Sequence, residues 1–143
     1  MAQRAETGRV PKPAPAPTEV SQFFWDAAKE HRLMIQRCDD CAYYIHPPMV
    51  VCPKCQSDRL TPTDVSGKGT VYSFSVVQRA FHPGFADDMP YVLALVDLEE
   101  QEGVRLVTNI VDCPIEALTI GMAVEATFED REGHTVPLFR PVR

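Results

Sequence analysis

The spacing of apolar positions changes twice along the chain, and each change marks a different kind of structure. From Thr18 onward, Val20, Phe23, Phe24, Ala27 and Ala28 recur three and four residues apart. That is the period of an amphipathic helix, with Thr18 available as its N-cap. The spacing predicts a helix over 18–31, with Trp25 and Asp26 off the stripe. So wide an apolar stripe on so short an element must pack on a core or meet a partner. Leu33 to Arg37 reads as a short strand leading into Cys38. After Pro62 the period becomes two, with turn residues between the runs, which signals consecutive strands. Val71 to Gln78 places Tyr72, Phe74 and Val76 on one face, and Tyr91 to Val96 is apolar enough to be covered on both faces. A polar turn over 99–103 leads to a strand from Val104 to Val111, and Pro114 to Leu118 fits one helical turn before Gly121. Met122, Val124, Ala126 and Phe128 then alternate with Ala123, Glu125, Thr127 and Glu129, and a last strand covers Val136 to Pro141. Five short β-runs, starting at Val71, Tyr91, Val104, Met122 and Val136, suit a small closed barrel of the OB type.

Composition adds boundaries to this mainly β reading. The chain has 143 residues, of which 45% are hydrophobic, enough for one modest core or two small ones in contact. Pro11, Pro13, Pro15 and Pro17 punctuate an N-terminal stretch too polar and stiff to bury itself, so residues 1–17 read as a disordered tail. Residues 18–62 then form a helix and a cysteine module, and residues 63–143 form the barrel. The net charge of −6 argues against a nucleic-acid surface, which needs clustered Lys and Arg. No run approaches the roughly 20 apolar residues of a membrane span. The N-terminus has no apolar signal-peptide core, so a cytoplasmic address is expected.

The cysteines change the picture most. Cys38-Asp39-Asp40-Cys41 and Cys52-Pro53-Lys54-Cys55 are two C-x-x-C pairs with ten residues between them. Each pair makes a tight knuckle whose sulfurs point at one centre. Four thiolates complete the tetrahedral shell of Zn²⁺ and leave no position for water or substrate, so such a site is structural. The stretch from Tyr43 to Val51 is long enough for a hairpin, giving a zinc ribbon. Iron in a rubredoxin-like site would use the same ligands. Redox C-x-x-C chemistry is disfavoured, because no thioredoxin-like βαβ pattern surrounds the pairs. Cys113 stands alone and reads as a small buried residue.

Other candidate chemistry is sparse. Gly67-Lys68-Gly69-Thr70 superficially suggests a phosphate loop, but Pro62 and Gly69 occupy positions that motif reserves for glycine and Ser or Thr. A turn into the first barrel strand explains it better. His31, His46, His82 and His134 are scattered without partners at catalytic spacing. The loop from Arg79 to Pro90 carries Phe81, Phe85 and Met89 between two strands, residues suited either to contact or to plugging the barrel end. Candidate contact residues for a ligand or partner are therefore Phe23, Phe24, Trp25, Arg79, Phe81, His82 and Phe85, with Arg79 best suited to a phosphate or carboxylate. Tyr72, Phe74 and Tyr91 could stack on single-stranded bases, but the barrel's charge is dominated by acids such as Glu99, Glu100 and Glu125.

The order of these parts resembles a known family. Phe23-Phe24-Trp25-Asp26-Ala27-Ala28, Leu33 through Cys38, the two knuckles, Gly67-Lys68-Gly69-Thr70-Val71-Tyr72-Ser73-Phe74 and Ile120-Gly121-Met122-Ala123-Val124 are similar to DUF35 proteins over about residues 18–142. That resemblance implies an OB-fold protein with a rubredoxin-like zinc ribbon, its metal held by Cys38, Cys41, Cys52 and Cys55. It also implies a non-catalytic accessory subunit of a thiolase-fold enzyme. Such an enzyme would be a thiolase or retro-aldolase acting on acyl-CoA thioesters, steroid side-chain intermediates among them. Acyl-CoA would lie at or near the interface, and the partner enzyme would carry the catalytic residues. Association with a MaoC-like hydratase is the alternative that the resemblance leaves open.

Overall fold

A computed structural model describes residues 10–143, so the part of the expected tail over 1–9 lies outside the described residues. The element order is α1 (Gln22–Lys29), β1 (Met34–Cys38), β2 (Tyr44–Ile45), β3 (Leu60–Asp64), β4 (Lys68–Val77), β5 (Tyr91–Leu98), β6 (Arg105–Ile110), β7 (Ala123–Arg131) and β8 (His134–Pro141). Strands β2-β1-β3 form a small antiparallel sheet, and β4-β5-β6-β8-β7 close into a barrel. The protein is therefore mainly β, with one N-terminal helix, a four-cysteine ribbon and a five-stranded OB-type barrel.

Alternating residues of the barrel strands fill its interior. Val92, Ala94, Val96 and Leu98 of β5 point inward together with Leu106, Val124 and Phe139, and Phe139 is fully buried. The same core extends outside the barrel to Phe24, Leu33 and Ile35, because α1 packs on β8 and β1. Ribbon and barrel are further joined by a glutamine that imitates a strand. The Tyr44 N–H donates to Gln101 Oε1 at 2.8 Å, and Gln101 Nε2 donates back to the Tyr44 carbonyl at 2.9 Å. The Val65 N–H also donates to the Leu33 carbonyl at 3.1 Å.

Several local expectations are corrected. The helix starts later than Thr18, because Thr18 and Ser21 bond to each other's backbone N–H and hold a turn that precedes it. β3 was not legible from periodicity: Leu60-Thr61-Pro62-Thr63-Asp64 forms a strand by pairing with β1, and its edge position tolerates Pro62. In β4 a bulge at Tyr72 breaks the alternation, so Val71 is buried, Tyr72 faces solvent and Phe74 returns to the core. The exposed Tyr72 ring then stacks under the Arg105 guanidinium, 3.5 Å from the ring centroid. β5 is covered on one face only, with Leu93 exposed. Cys113 is half-buried, against the expectation of full burial.

Residues 10–17 form no helix or strand, yet Lys12 is anchored at 2.6 Å to Asp88 and 3.6 Å to Glu129. Among the described residues, no helix is long and apolar enough to cross a membrane.

Candidate metal centre and contact surfaces

The two C-x-x-C segments fold as near copies of each other. In the first, the Ala42 N–H donates to the Cys38 carbonyl and the Cys38 N–H donates to the Tyr43 carbonyl, both at 2.9 Å. In the second, Gln56 bonds the Cys52 carbonyl at 2.9 Å and Cys52 bonds the Ser57 carbonyl at 2.8 Å. The residue after each pair, Ala42 or Gln56, is left-handed, with φ of 65° and 66°. That turn brings both sulfurs of a pair to the same side, where glycine would be the relaxed choice.

The result is a cluster in which all four Sγ atoms lie within 4.8 Å of one another. Cys38 Sγ is 3.5 Å from Cys55 Sγ, and Cys41 Sγ is 3.6 Å from Cys52 Sγ. Their acidities diverge. Burial opposes ionisation of Cys52, but backbone N–H groups of Cys55 and Lys54 outweigh it and bring that thiol to about 7. Cys55 receives a backbone N–H from Ser57, yet the crowding thiols, Cys38 foremost, and burial push it up to about 12. Four thiolates this close repel one another, so without a cation some must stay protonated. A divalent ion removes the conflict, and the donor set fits one. Around the cluster, the Asp40 pKa is lowered by hydrogen bonds from Arg59 and Ser57. Gln36, a buried residue that sequence reasoning missed, fixes the loop between the knuckles by bonding both the N–H and the carbonyl of Met49, at 2.8 and 2.9 Å.

The seven candidate contact residues separate into two places. Phe24 is 8% exposed and packs in the core, and it also lines the cleft beside Trp25. Phe23 and Trp25 are half-buried against that core, and Trp25 lines a cleft of about 450 Å³ between α1, the loop after β2, and strands β6 and β8. His46, Pro47 and Pro48 form its opposite wall, and Arg105 and Val107 reach it from β6. In the 79–90 loop the two phenylalanines take opposite roles. Phe81 is 87% exposed, whereas Phe85 tucks against Tyr91, with ring centroids 5.4 Å apart. His82 caps the short 3₁₀ turn Pro83–Asp88 by accepting the Gly84 N–H at its Nδ1, and Arg79 is exposed. The structure thus does not bring the α1 aromatics and the loop together into one pocket.

His46 was not singled out by spacing, and only the fold reveals its environment. Its ring lies 5.4 Å from that of Phe24, and burial lowers its pKa from 6.5 to about 4. Because the folded value is depressed, the unfolded chain binds more protons between these limits. The stabilisation is present above about pH 6.5 and lost as pH falls toward 4. Wild-type protein should therefore lose roughly 1–2 kcal/mol more than His46→Gln on going from pH 7 to 4.5. Urea unfolding of both proteins across that range checks it. Metal release by thiolate protonation acts on both alike and cancels in the difference; parallel curves would contradict a neutral, half-buried ring.

A tetrathiolate knuckle pair braced on a closed five-stranded barrel defines a zinc-ribbon OB-fold protein. Comparisons agree and are more specific. The family description "ChsH2, rubredoxin-like zinc ribbon domain" matches residues 25–61, and "ChsH2, C-terminal OB-fold domain" matches residues 62–129. A solved chain named "Ltp2-ChsH2(DUF35) aldolase" is 42% identical with a TM-score of 0.81, covering 90% of this chain and 98% of that one. A "DUF35 domain-containing scaffold protein" of Methanocaldococcus jannaschii is 42% identical over 106 residues, 73% of each chain. A "Probable enoyl-CoA hydratase alpha subunit" of Thermomonospora curvata is 42% identical over 131 residues, 91% of this chain. This chain spans 40% of that relative's length. The chain belongs to the DUF35 family.

Proposed function

We propose that this chain is a non-catalytic accessory subunit that binds a thiolase-fold enzyme acting on acyl-CoA thioesters, with structural Zn²⁺ held by Cys38, Cys41, Cys52 and Cys55. The observation that carries this reading is the match to the DUF35 chain of an aldolase over 98% of that chain's length. The chemistry of the described residues supports it. A four-thiolate shell is coordinatively closed. The nearest approach to an acid–base pair, His31 with Asp130 at 2.9 Å, is exposed to solvent and does not line the Trp25 cleft. What the surface does offer is apolar contact: Phe81, Val107, Leu93 and the Trp25 cleft. In this reading Trp25, Arg79, Phe81 and His82 face the partner or the CoA thioester, and the assembly works in the reducing cytoplasm.

Co-expression with the thiolase-like protein encoded nearest to it, followed by size-exclusion chromatography and metal analysis, tests the proposal. The expected result is co-elution at a fixed ratio with one zinc per copy of this chain. Phe81→Ala should weaken the complex about ten-fold and leave the metal in place, since exposed aromatic anchors carry a large share of interface energy. A metal-loaded monomer beside free enzyme would overturn it. The relationship to a hydratase α subunit favours one second reading, in which a MaoC-like hydratase is the partner, and the same chromatography distinguishes the two.

A further inference from the structure

We propose that residues 10–12 act as a latch that closes one end of the barrel and pins the 79–90 loop. Three observations meet there. Lys12 Nζ lies 2.6 Å from Asp88 Oδ2 on the loop and 3.6 Å from Glu129 Oε1 on β7, so one cation ties the loop to the barrel wall. The same ammonium stands 5.3 Å from the centroid of the Phe85 ring. Beneath it the chain passes so close to Gly84 that a Cβ there would stand 2.8 Å from both Lys12 Cα and the Pro11 carbonyl. Backbone against backbone at a glycine, with a lysine side chain only 21% exposed, is a seated segment of irregular chain.

Lys12 and Phe85 wall a cavity of about 370 Å³ that reaches Asn109, Cys113 and Arg131. Asn109, Arg131 and Leu138 line both this cavity and the Trp25 cleft, so the two adjoin. Strands β6 and β8 beside the cavity share a single register pair, Ile110 with Phe139. Ion pairs and cation–π contacts near the surface are individually weak and screened by salt, so the latch is held by a small margin. Its release opens the cavity and frees the turn Pro83–Asp88, which follows Phe81 in the chain. The latch is a property of this chain alone and stands whether or not the proposed partner is correct.

Cys113 reports cavity access, because the other four cysteines are protected when metal is bound. Full-length, metal-loaded protein is labelled with an aromatic disulfide, with Cys113→Ser as the blank, while hydrogen exchange follows amides 83–90. Lys12→Glu should label roughly five-fold faster than wild type and exchange faster over 83–90, and Lys12→Arg should match wild type. Gly84→Ala, which pushes the same segment from below with Lys12 intact, should reproduce the effect. Unchanged labelling and exchange in Lys12→Glu, or a rise in only one of the two variants, overturns the latch. Unaltered metal content and melting keep the readout separate from misfolding.

Discussion

Cys38→Ala is expected to empty the metal centre and unfold the ribbon, the largest single effect available in this chain. Cys38 is 1% exposed and sits at the end of β1, where its N–H donates to the Tyr43 carbonyl and its register partner is Leu60 of β3. The ribbon's own apolar core is small: Cys38, Ile45 and Cys52 are buried, with Tyr43 and Leu60 packed at their edge. So little burial cannot order residues 38–60, and the metal must supply the difference. Structural zinc contributes about 10–16 kcal/mol to small ribbon-like peptides, and losing one of four ligands forfeits most of it. The damage should spread in one direction. β1 also presents Ile35 to the barrel-side core, and the Leu33 carbonyl beside it receives the Val65 N–H, so the α1–β1 junction loosens too. The barrel strands, which pair with one another, should persist. Metal analysis with thermal melting checks this: near-stoichiometric metal loss, a lower first transition, and the same behaviour in wild type treated with a strong chelator. Cys113→Ala should do none of these. Retained metal and an unchanged melting profile in Cys38→Ala would remove the cluster from its structural role.

What the sequence disclosed about this molecule follows from how local each cause is. Two C-x-x-C pairs name their ligands because a knuckle is built within a handful of consecutive residues. The β5 strand is legible because Tyr91 to Val96 is a short, continuously apolar run, although that run does not disclose that only the Val92, Ala94 and Val96 face is covered. Elements fixed from afar were hidden. Leu60–Asp64 has no apolar alternation and becomes a strand only because β1 offers it partners. The bulge at Tyr72 inverts the face of that ring without any glycine or proline to announce it. Gln36, Gln101 and Lys12 are ordinary polar residues in sequence, and their roles depend on groups 13, 57 and 76 residues away. The contact residues were partly legible for the same reason: Phe81 and Phe85 share a loop, but only the fold shows that Phe85 turns in against Tyr91 and Lys12 while Phe81 stays exposed.

The second large effect is expected at Gly69, in the segment that superficially suggested a phosphate loop. Gly67 of that segment is left-handed, with φ of +79°, and needs glycine for its backbone. Gly69 needs it for space. In β4 it pairs with Leu98 of β5 on one side and Val124 of β7 on the other. The register pairs of β4 with β7 are Lys68, Gly69 and Thr70, flanked by backbone bonds at Gly67 and Val71, so this residue sits in the middle of the seam that closes the barrel. A Cβ here would stand 2.3 Å from the Asp97 carbonyl oxygen and 3.0 Å from Val96 Cγ1. Neither neighbour yields easily: the first is backbone in a paired strand whose Asp97 side chain accepts from Arg105 at 2.6 Å, and the second belongs to a fully buried valine. Gly69→Ala must therefore spread β4 from β5 or from β7, at a cost of about 3 kcal/mol or more. In a domain of this size that lowers the barrel's melting temperature by roughly 10–20 °C. Metal content should stay at one per chain, the reverse of the Cys38→Ala result. Calorimetry with metal analysis on both variants would show the ribbon failing by chemistry and the barrel by geometry. Native-like melting of Gly69→Ala would mean that β5 can retreat from β4, and that closure of the barrel does not depend on this close approach.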